Sequence, residues 1–260
     1  MNHRAHFSGG RMKKGIYNLP NLFTTASLFC GFYSIIASFH GDFFKAAISI
    51  VVAFFLDGLD GKIARFTNTT SKFGAEYDSL SDLIAFGMAP ALLAYTWALS
   101  PFGRYGWLVS FLFVVCGALW LARFNIQFGI VDSSVFNGLP IPGAAIVLAS
   151  SVLLLDYLGE PGPVNHVSVL AGCTILSLLM VSSIKYYSFK DLNFFSKKPF
   201  MTFVMIVFLL VIIILEPEIM CFTIAVGYAA SGPLWFLVRM AKKKIPGERE
   251  QKTYDHRKNW

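Results

Sequence analysis

Long apolar runs, each about the length of a bilayer-crossing helix and separated by short polar segments, leave this chain few possible folds. A membrane-spanning helix needs about 20 mostly apolar residues. Hydrocarbon offers no partner to a backbone N–H or C=O, so such runs must pair their backbone internally, as helices. The runs predict transmembrane helices over 20–39, 43–65, 77–99, 105–124, 139–157, 166–184, 200–216 and 218–239. The last two are divided by Glu216-Pro217-Glu218, where proline blocks helix continuation and two acids call for water. Only 14% of the residues are charged, against about 25% in soluble domains. The predicted fold class is therefore all-α, a polytopic membrane helix bundle. Residues 1–15 are polar and basic and no convincing cleavage site follows, so the first run reads as a retained span.

Basic residues orient the bundle. Arg4, Arg11, Lys13 and Lys14 precede the first span; Lys62, Arg65 and Lys72 lie between the second and third; Arg123 closes the fourth. Lys185, Lys190, Lys197 and Lys198 follow the sixth, and Arg239, Lys242, Lys243 and Lys244 follow the eighth. With an even number of spans all of these fall on one side, which the positive-inside rule makes cytoplasmic. The opposite side keeps Lys45 and Arg104 among five acids. The four cysteines lie in apolar runs with no ligand spacing and read as small buried hydrophobes; the five histidines form no ligand pair. No nucleic-acid partner is expected.

Against this apolar background, residues 57–82 read DGLDGKIARFTNTTSKFGAEYDSLSD, at the cytoplasmic junction of the second and third spans. Acids at a membrane helix are costly and mark function. Asp57, Asp60, Gly61, Ala64 and Arg65 follow i, i+3, i+4, i+7, i+8, one stripe on a helix. Gly74, Asp78 and Asp82 follow i, i+4, i+8, a second stripe. The short link between them predicts antiparallel neighbours whose acidic faces share a cleft. Oxygen-only ligands favour a hard cation, Mg²⁺ or Mn²⁺, and four acids suit one or two ions. With Arg65, whose planar fork suits phosphate, they would form a receptor for a pyrophosphate, and a carboxylate not fully used on metal could act as general base.

The pattern Asp57-x-x-Asp60-Gly61-x-x-Ala64-Arg65, eight residues, Gly74-x-x-x-Asp78-x-x-x-Asp82 resembles the complete signature of the CDP-alcohol phosphatidyltransferase family. The resemblance implies displacement of CMP from a CDP-linked lipid or alcohol by an incoming hydroxyl. It implies that Asp57, Asp60 and Asp78 hold metal, that Asp82 both touches metal and acts as base, and that Gly61, Arg65 and Ser71 contact the CDP portion. It further implies a core of six transmembrane helices, usually in a homodimer, to which two C-terminal helices are added here. The resulting organisation is a cytoplasmic basic segment 1–18, a core 19–190, two further helices over 191–240 and a basic tail 241–260.

Leu19-Pro20-Asn21-Leu22-Phe23-Thr24, Leu121-Ala122-Arg123-Phe124-Asn125, residues 136–144 (FNGLPIPGA) and 180–190 (MVSSIKYYSFK) resemble the membrane-integral phosphatidylserine synthase branch of that family. That branch implies CDP-diacylglycerol and L-serine as substrates, in the cell or inner membrane of a bacterium or archaeon. From the residues alone, Asn21 and Thr24 could bond cytidine or phosphate or cap a helix. Arg123, with Asn125 beside it, could meet a serine carboxylate or anchor the interface. Gly138, Pro140, Pro142 and Gly143 read as shaping a turn and a helix start, with no need to touch substrate. Glycerol 3-phosphate or inositol phosphate is the alternative acceptor, but either would call for a second basic cluster, and the motif loop adds only Lys72. A cation transporter would place its ionisable groups near the midplane, whereas these acids gather at one interface.

Overall fold

The structure, a computed structural model, describes residues 10–67, 71–127, 135–160, 162–164, 166–187 and 215–243; within these, side chains are described except at 10–19, 64, 65, 127, 135, 187 and 241–243. It is an all-α bundle. In chain order the helices are α1 (Gly10–Phe39), α2 (Phe43–Phe66), α3 (Lys72–Asp82), α4 (Ala89–Ala94), α5 (Arg104–Gln127), α6 (Ile141–Tyr157), α7 (Val167–Val181) and α8 (Pro217–Lys243). The span expected over 200–216 lies, up to residue 214, outside the described residues, as does the tail from residue 244.

Among the described residues four helices are long and apolar enough to cross a membrane: Pro20–Phe39, Lys72–Phe102, Arg104–Ile126 and Pro217–Met240. Helix α2 has the length but carries charges at both ends. The apolar helices α6 and α7 are shorter, at 17 and 15 residues. Outward faces rich in Phe and Leu, such as Phe29 and Phe55, are exposed as lipid contact requires.

Two features depart from the sequence expectation. Helix α1 begins at Gly10, a turn or more before the apolar run, so the basic N-terminal segment is partly helical. The third span is one continuous element, Lys72–Phe102, in which π-helical turns at Leu83–Met88 and Tyr95–Leu99 flank α4 and a 3-10 turn closes the end. Pro90 accounts for the first: it has no N–H to offer the preceding turn, and its ring would press on a carbonyl there. The widened turn absorbs that mismatch without ending the helix.

Helix α1 is the common neighbour of α2, α3 and the first π turn. Small residues allow the approach. Ala46, Ala47 and Ala53 of α2 are buried, and Ser27 Oγ donates to the Ala53 carbonyl at 3.1 Å. Gly31 faces Ala85 so closely that a Cβ there would stand 2.6 Å from Ala85 Cα. Close contact between small residues is what association in lipid relies on, since burial from water contributes little there. A two-stranded antiparallel pair, β1 (Val135–Asn137) with β2 (Lys185–Tyr187), ties the start of α6 to the end of α7, with Phe136 opposite Tyr186. The pair was not expected from sequence.

The Gly31 contact is testable. Gly31→Ala forces backbone, not a flexible side chain, to move, so it should destabilise the bundle by about 1–3 kcal/mol. Thermal unfolding in detergent micelles should show a lowered Tm, while Gly172→Ala, where a Cβ meets nothing within 4 Å, should not.

Candidate active site

Helices α2 and α3 bring their acidic stripes together as the spacing predicted. One carboxylate oxygen from each of Asp57, Asp60 and Asp78 lies within 4.8 Å of the others. Asp57 is also within hydrogen-bonding reach of both Asp78 and Asp82. Asp60 is buried; the other three are half-buried. Oδ1 of Asp78 and Oδ1 of Asp82 are buried and find no hydrogen-bond partner. Among the described residues no lysine or arginine forms an ion pair with any of the four. Carboxylates this close repel unless a proton or a cation stands between them. An all-oxygen donor set with orphaned buried oxygens fits a hard divalent cation.

Helix α1 orients this cluster. Thr24 Oγ1 donates to Asp60 Oδ2 at 2.7 Å, and its contact with the Pro20 carbonyl is longer, at 3.2 Å. Asp60 also accepts from the Gly61 backbone N–H. Thr24 was expected to meet substrate or to cap a helix. It is instead a buried residue within α1, more than three turns after the helix starts, and its hydroxyl engages a carboxylate. Helix α3 docks on α1 through Thr25 and Tyr77, whose hydroxyls are 2.9 Å apart, and through Ser81 Oγ, which donates to the Thr24 carbonyl at 3.1 Å. Gly74 sits close to the same contact: a Cβ there would lie 3.1 Å from Ser71 Oγ and 3.4 Å from Asn21 Oδ1.

Ser71 caps α3, its hydroxyl accepting from the Gly74 N–H at 3.0 Å. It leaves its own proton to donate elsewhere. The side chain of Arg65 and residues 68–70, including Thr69 and Thr70, lie outside the described residues.

The carboxylates open onto a cleft of about 260 Å³. One wall is Asp57, Gly58, Asp60 and Gly61 of α2 with Asp78, Ser79 and Asp82 of α3. The other is Trp120, Leu121 and Phe124 of α5, Phe136 of β1, and Pro140 and Pro142 at the start of α6. Trp120 stacks on Phe124 with centroids 5.3 Å apart, and Phe136 lies within 6.0 Å of both rings. Sequence reasoning missed this second wall. The prolines do start the helix, as expected, but they also face the cleft. For all but Trp120, the runs 121–125 and 136–144 held the signal, without indicating which of their side chains faced inward.

Arg123 is used differently from the expectation. Its Nη1 donates to the carbonyls of Val181 and Ser182, both at 3.2 Å, and its Nη2 to Met180 at 2.9 Å and to Asn137. The fork, read from sequence as either a partner for a serine carboxylate or an interface anchor, holds the end of α7 and the β1 turn. Asn125 does reach the cleft's rim: its Nδ2 donates to Ser79 Oγ at 3.0 Å.

These features belong to enzymes that act on CDP-linked alcohols. The sequence profile described as CDP-alcohol phosphatidyltransferase matches residues 17–177, so the chain belongs to that family. It is 43% identical over 202 residues to the CDP-diacylglycerol–serine O-phosphatidyltransferase of Helicobacter pylori strain ATCC 700392 / 26695, covering 78% of this chain and 84% of the relative. It is 36% identical to the Bacillus subtilis strain 168 protein of the same name, covering 66% of this chain and 91% of the relative. It is 39% identical to the archaetidylserine synthase of Methanothermobacter thermautotrophicus, covering 65% and 69%.

Thr24→Val keeps the shape of the side chain but removes the donor to Asp60. A hydrogen bond to a charged group contributes about 1.5–3 kcal/mol, so Mn²⁺ should bind the cluster about ten- to a hundredfold more weakly. Thr24→Ser should restore binding. Titration of the purified chain by calorimetry reads both.

Proposed function

We propose that this chain transfers the phosphatidyl group of CDP-diacylglycerol to the hydroxyl of L-serine, giving phosphatidylserine and CMP. The observation that carries the reading is the convergence of Asp57, Asp60 and Asp78, with Asp82 beside them, on one cleft. Family membership supports the CDP-linked donor. The names of its relatives, two of them CDP-diacylglycerol–serine O-phosphatidyltransferases, support serine as acceptor.

Asp57, Asp60, Asp78 and Asp82 are the residues that would hold Mg²⁺ or Mn²⁺, two ions in this reading. When bound, the cations supply charge that balances the pyrophosphate and steadies the departing phosphate. The chain's own residues do the rest. Gly58 and Gly61 keep the α2 wall low, so a pyrophosphate can approach the backbone. Gly61, Arg65 and Ser71 contact the CDP portion, with Asn21 beside Gly74 completing that end. Thr24 belongs to the same group through Asp60, which it holds in place.

Asp82 is the general base. Its carboxylate lines the cleft, where it receives the proton of the serine hydroxyl. The serine oxygen then bonds to the phosphorus that carries the diacylglycerol, the bond from that phosphorus to the CMP oxygen breaks, and CMP leaves. Asn125 and Ser79 lie on the acceptor side, where their amide and hydroxyl can meet the amino acid. Arg123 acts there indirectly, by holding the backbone around it.

The chain is read as a multi-pass membrane protein with the cleft at the cytoplasmic face, within a core over 19–190 extended by helices over 191–240. The basic segments 1–18 and 241–260 lie on that same side, beside membrane lipids. A homodimer is the proposed assembly, and the cell or inner membrane of a bacterium or archaeon the proposed setting.

Purified chain in mixed micelles with CDP-diacylglycerol should release CMP only when serine and Mn²⁺ or Mg²⁺ are both present, and chelation should stop it reversibly. Release with glycerol 3-phosphate or inositol phosphate but not serine would move the acceptor assignment. Asp82→Asn should lower kcat by about 10²–10⁴-fold, the usual contribution of a positioned base. Its elution volume should stay unchanged and its Tm should not fall. Retained turnover would remove Asp82 from that role.

A further inference from the structure

The second wall of the cleft is assembled from segments far apart in sequence, and α8 closes the assembly. Phe136, on that wall, is paired in register with Tyr186 of β2. Tyr186 is only 1% exposed, and its Oη donates to the Ala229 carbonyl of α8 at 2.9 Å. Gly232, one helical turn on, makes the seat: a Cβ there would stand 2.4 Å from the Tyr186 ring. Tyr228 packs against the same ring at 5.7 Å and also touches α6, where a Cβ on Gly143 would be 3.3 Å from its ring. The Gly138 N–H donates to the Ile184 carbonyl at 2.8 Å and the Leu139 N–H to the Leu179 carbonyl at 3.0 Å. Gly138 itself has φ +84°, and any side chain would collide with the Met180 carbonyl.

We propose that Tyr186 is a positioning residue for the acceptor alcohol, and that α8 serves the reaction by holding the acceptor-side wall through it. This rests on the transfer reaction proposed above. In an in-line displacement the incoming oxygen and the departing one lie on opposite sides of phosphorus. With the CDP portion beside Gly61 and Ser71, the alcohol approaches from the other end of the cleft, between Asp82 and the wall that carries Phe136, Pro140 and Pro142. The backbone carrying those residues is fixed by β2, and β2 is fixed by Tyr186 on α8. Burial, then the neighbouring Tyr228, pushes the Tyr186 phenol up to about 12, so it remains a donor at any ordinary assay pH. A helix that served only as a lipid anchor would need neither the glycine seat nor the hydroxyl contact.

The test compares full-length wild type, Tyr186→Phe, Gly232→Ala and, as control, Leu237→Ala on the exposed face of α8. Tyr186→Phe keeps the ring and loses one hydrogen bond, so the bundle should persist. Tyr186→Phe should raise the serine KM about three- to tenfold, the effect of one lost hydrogen bond, and leave the CDP-diacylglycerol KM within about twofold; Gly232→Ala, which displaces the ring and lowers the Tm as well, should raise the serine KM at least as far. Amide exchange at Gly138 and Leu139 should quicken in both, while exchange across α2 and α3 stays as in wild type. In Tyr186→Phe, an unchanged serine KM, or a parallel rise in both KM values with a drop in Tm, would overturn the proposal. If wild type transfers to another alcohol and not to serine, the reaction reading fails by itself. The same KM comparison with that alcohol then decides the role of Tyr186.

Discussion

Carboxylates crowded at the ends of apolar helices repel one another, and much of this structure holds them together despite it. At separations below 5 Å, in a cleft partly shielded from water, like charges interact far more strongly than they would at an exposed surface. No basic side chain among the described residues relieves them. The protein's answer is a support that does not titrate away: the α1 backbone and hydroxyls grip α2 through Ser27 and Thr24, and α3 through Thr25 and Ser81. A cluster held in this way is prepared for a cation before one arrives, so binding need not pay to organise its ligands.

That support depends on close packing. Gly31 against Ala85 places the first π turn directly on α1, just after Asp82. The widened turn sets the angle at which the remainder of the third span leaves the site, since Pro90 prevents a regular continuation. Bulk at any of these contacts would separate α1 from α3 and alter the spacing of the carboxylates. Stability and cation affinity are therefore coupled through the same few small residues.

The carboxylate wall was legible in the sequence because its information is local. Asp57 and Asp60 share a stripe by helical spacing, as do Asp78 and Asp82, and a short link forces the stripes together. What was hidden depends on contacts across the chain. Thr24 reaches Asp60 across 36 positions, and Arg123 reaches the Val181 carbonyl across 58. A threonine near the start of an apolar run and an arginine near the end of one each have several ordinary roles, and spacing cannot choose among them. The β1–β2 pair was invisible because its strands are three residues long and carry no alternation to detect. The prolines of the second wall were read as turn residues and its aromatic residues were given no role, because inward direction is a tertiary property.

This division explains why the motif identifies the reaction more readily than the alcohol. The part proposed to handle pyrophosphate is written in one stretch and held by one neighbouring helix. The opposite wall is built where α5, β1, the start of α6, the end of α7 and α8 meet, with Arg123 and Tyr186 as its fastenings. Each fastening binds backbone carbonyls, so it fixes where the chain runs without prescribing which side chains the wall presents. Such a wall can change its lining, and with it the alcohol it admits, while the carboxylates and their chemistry stay as they are.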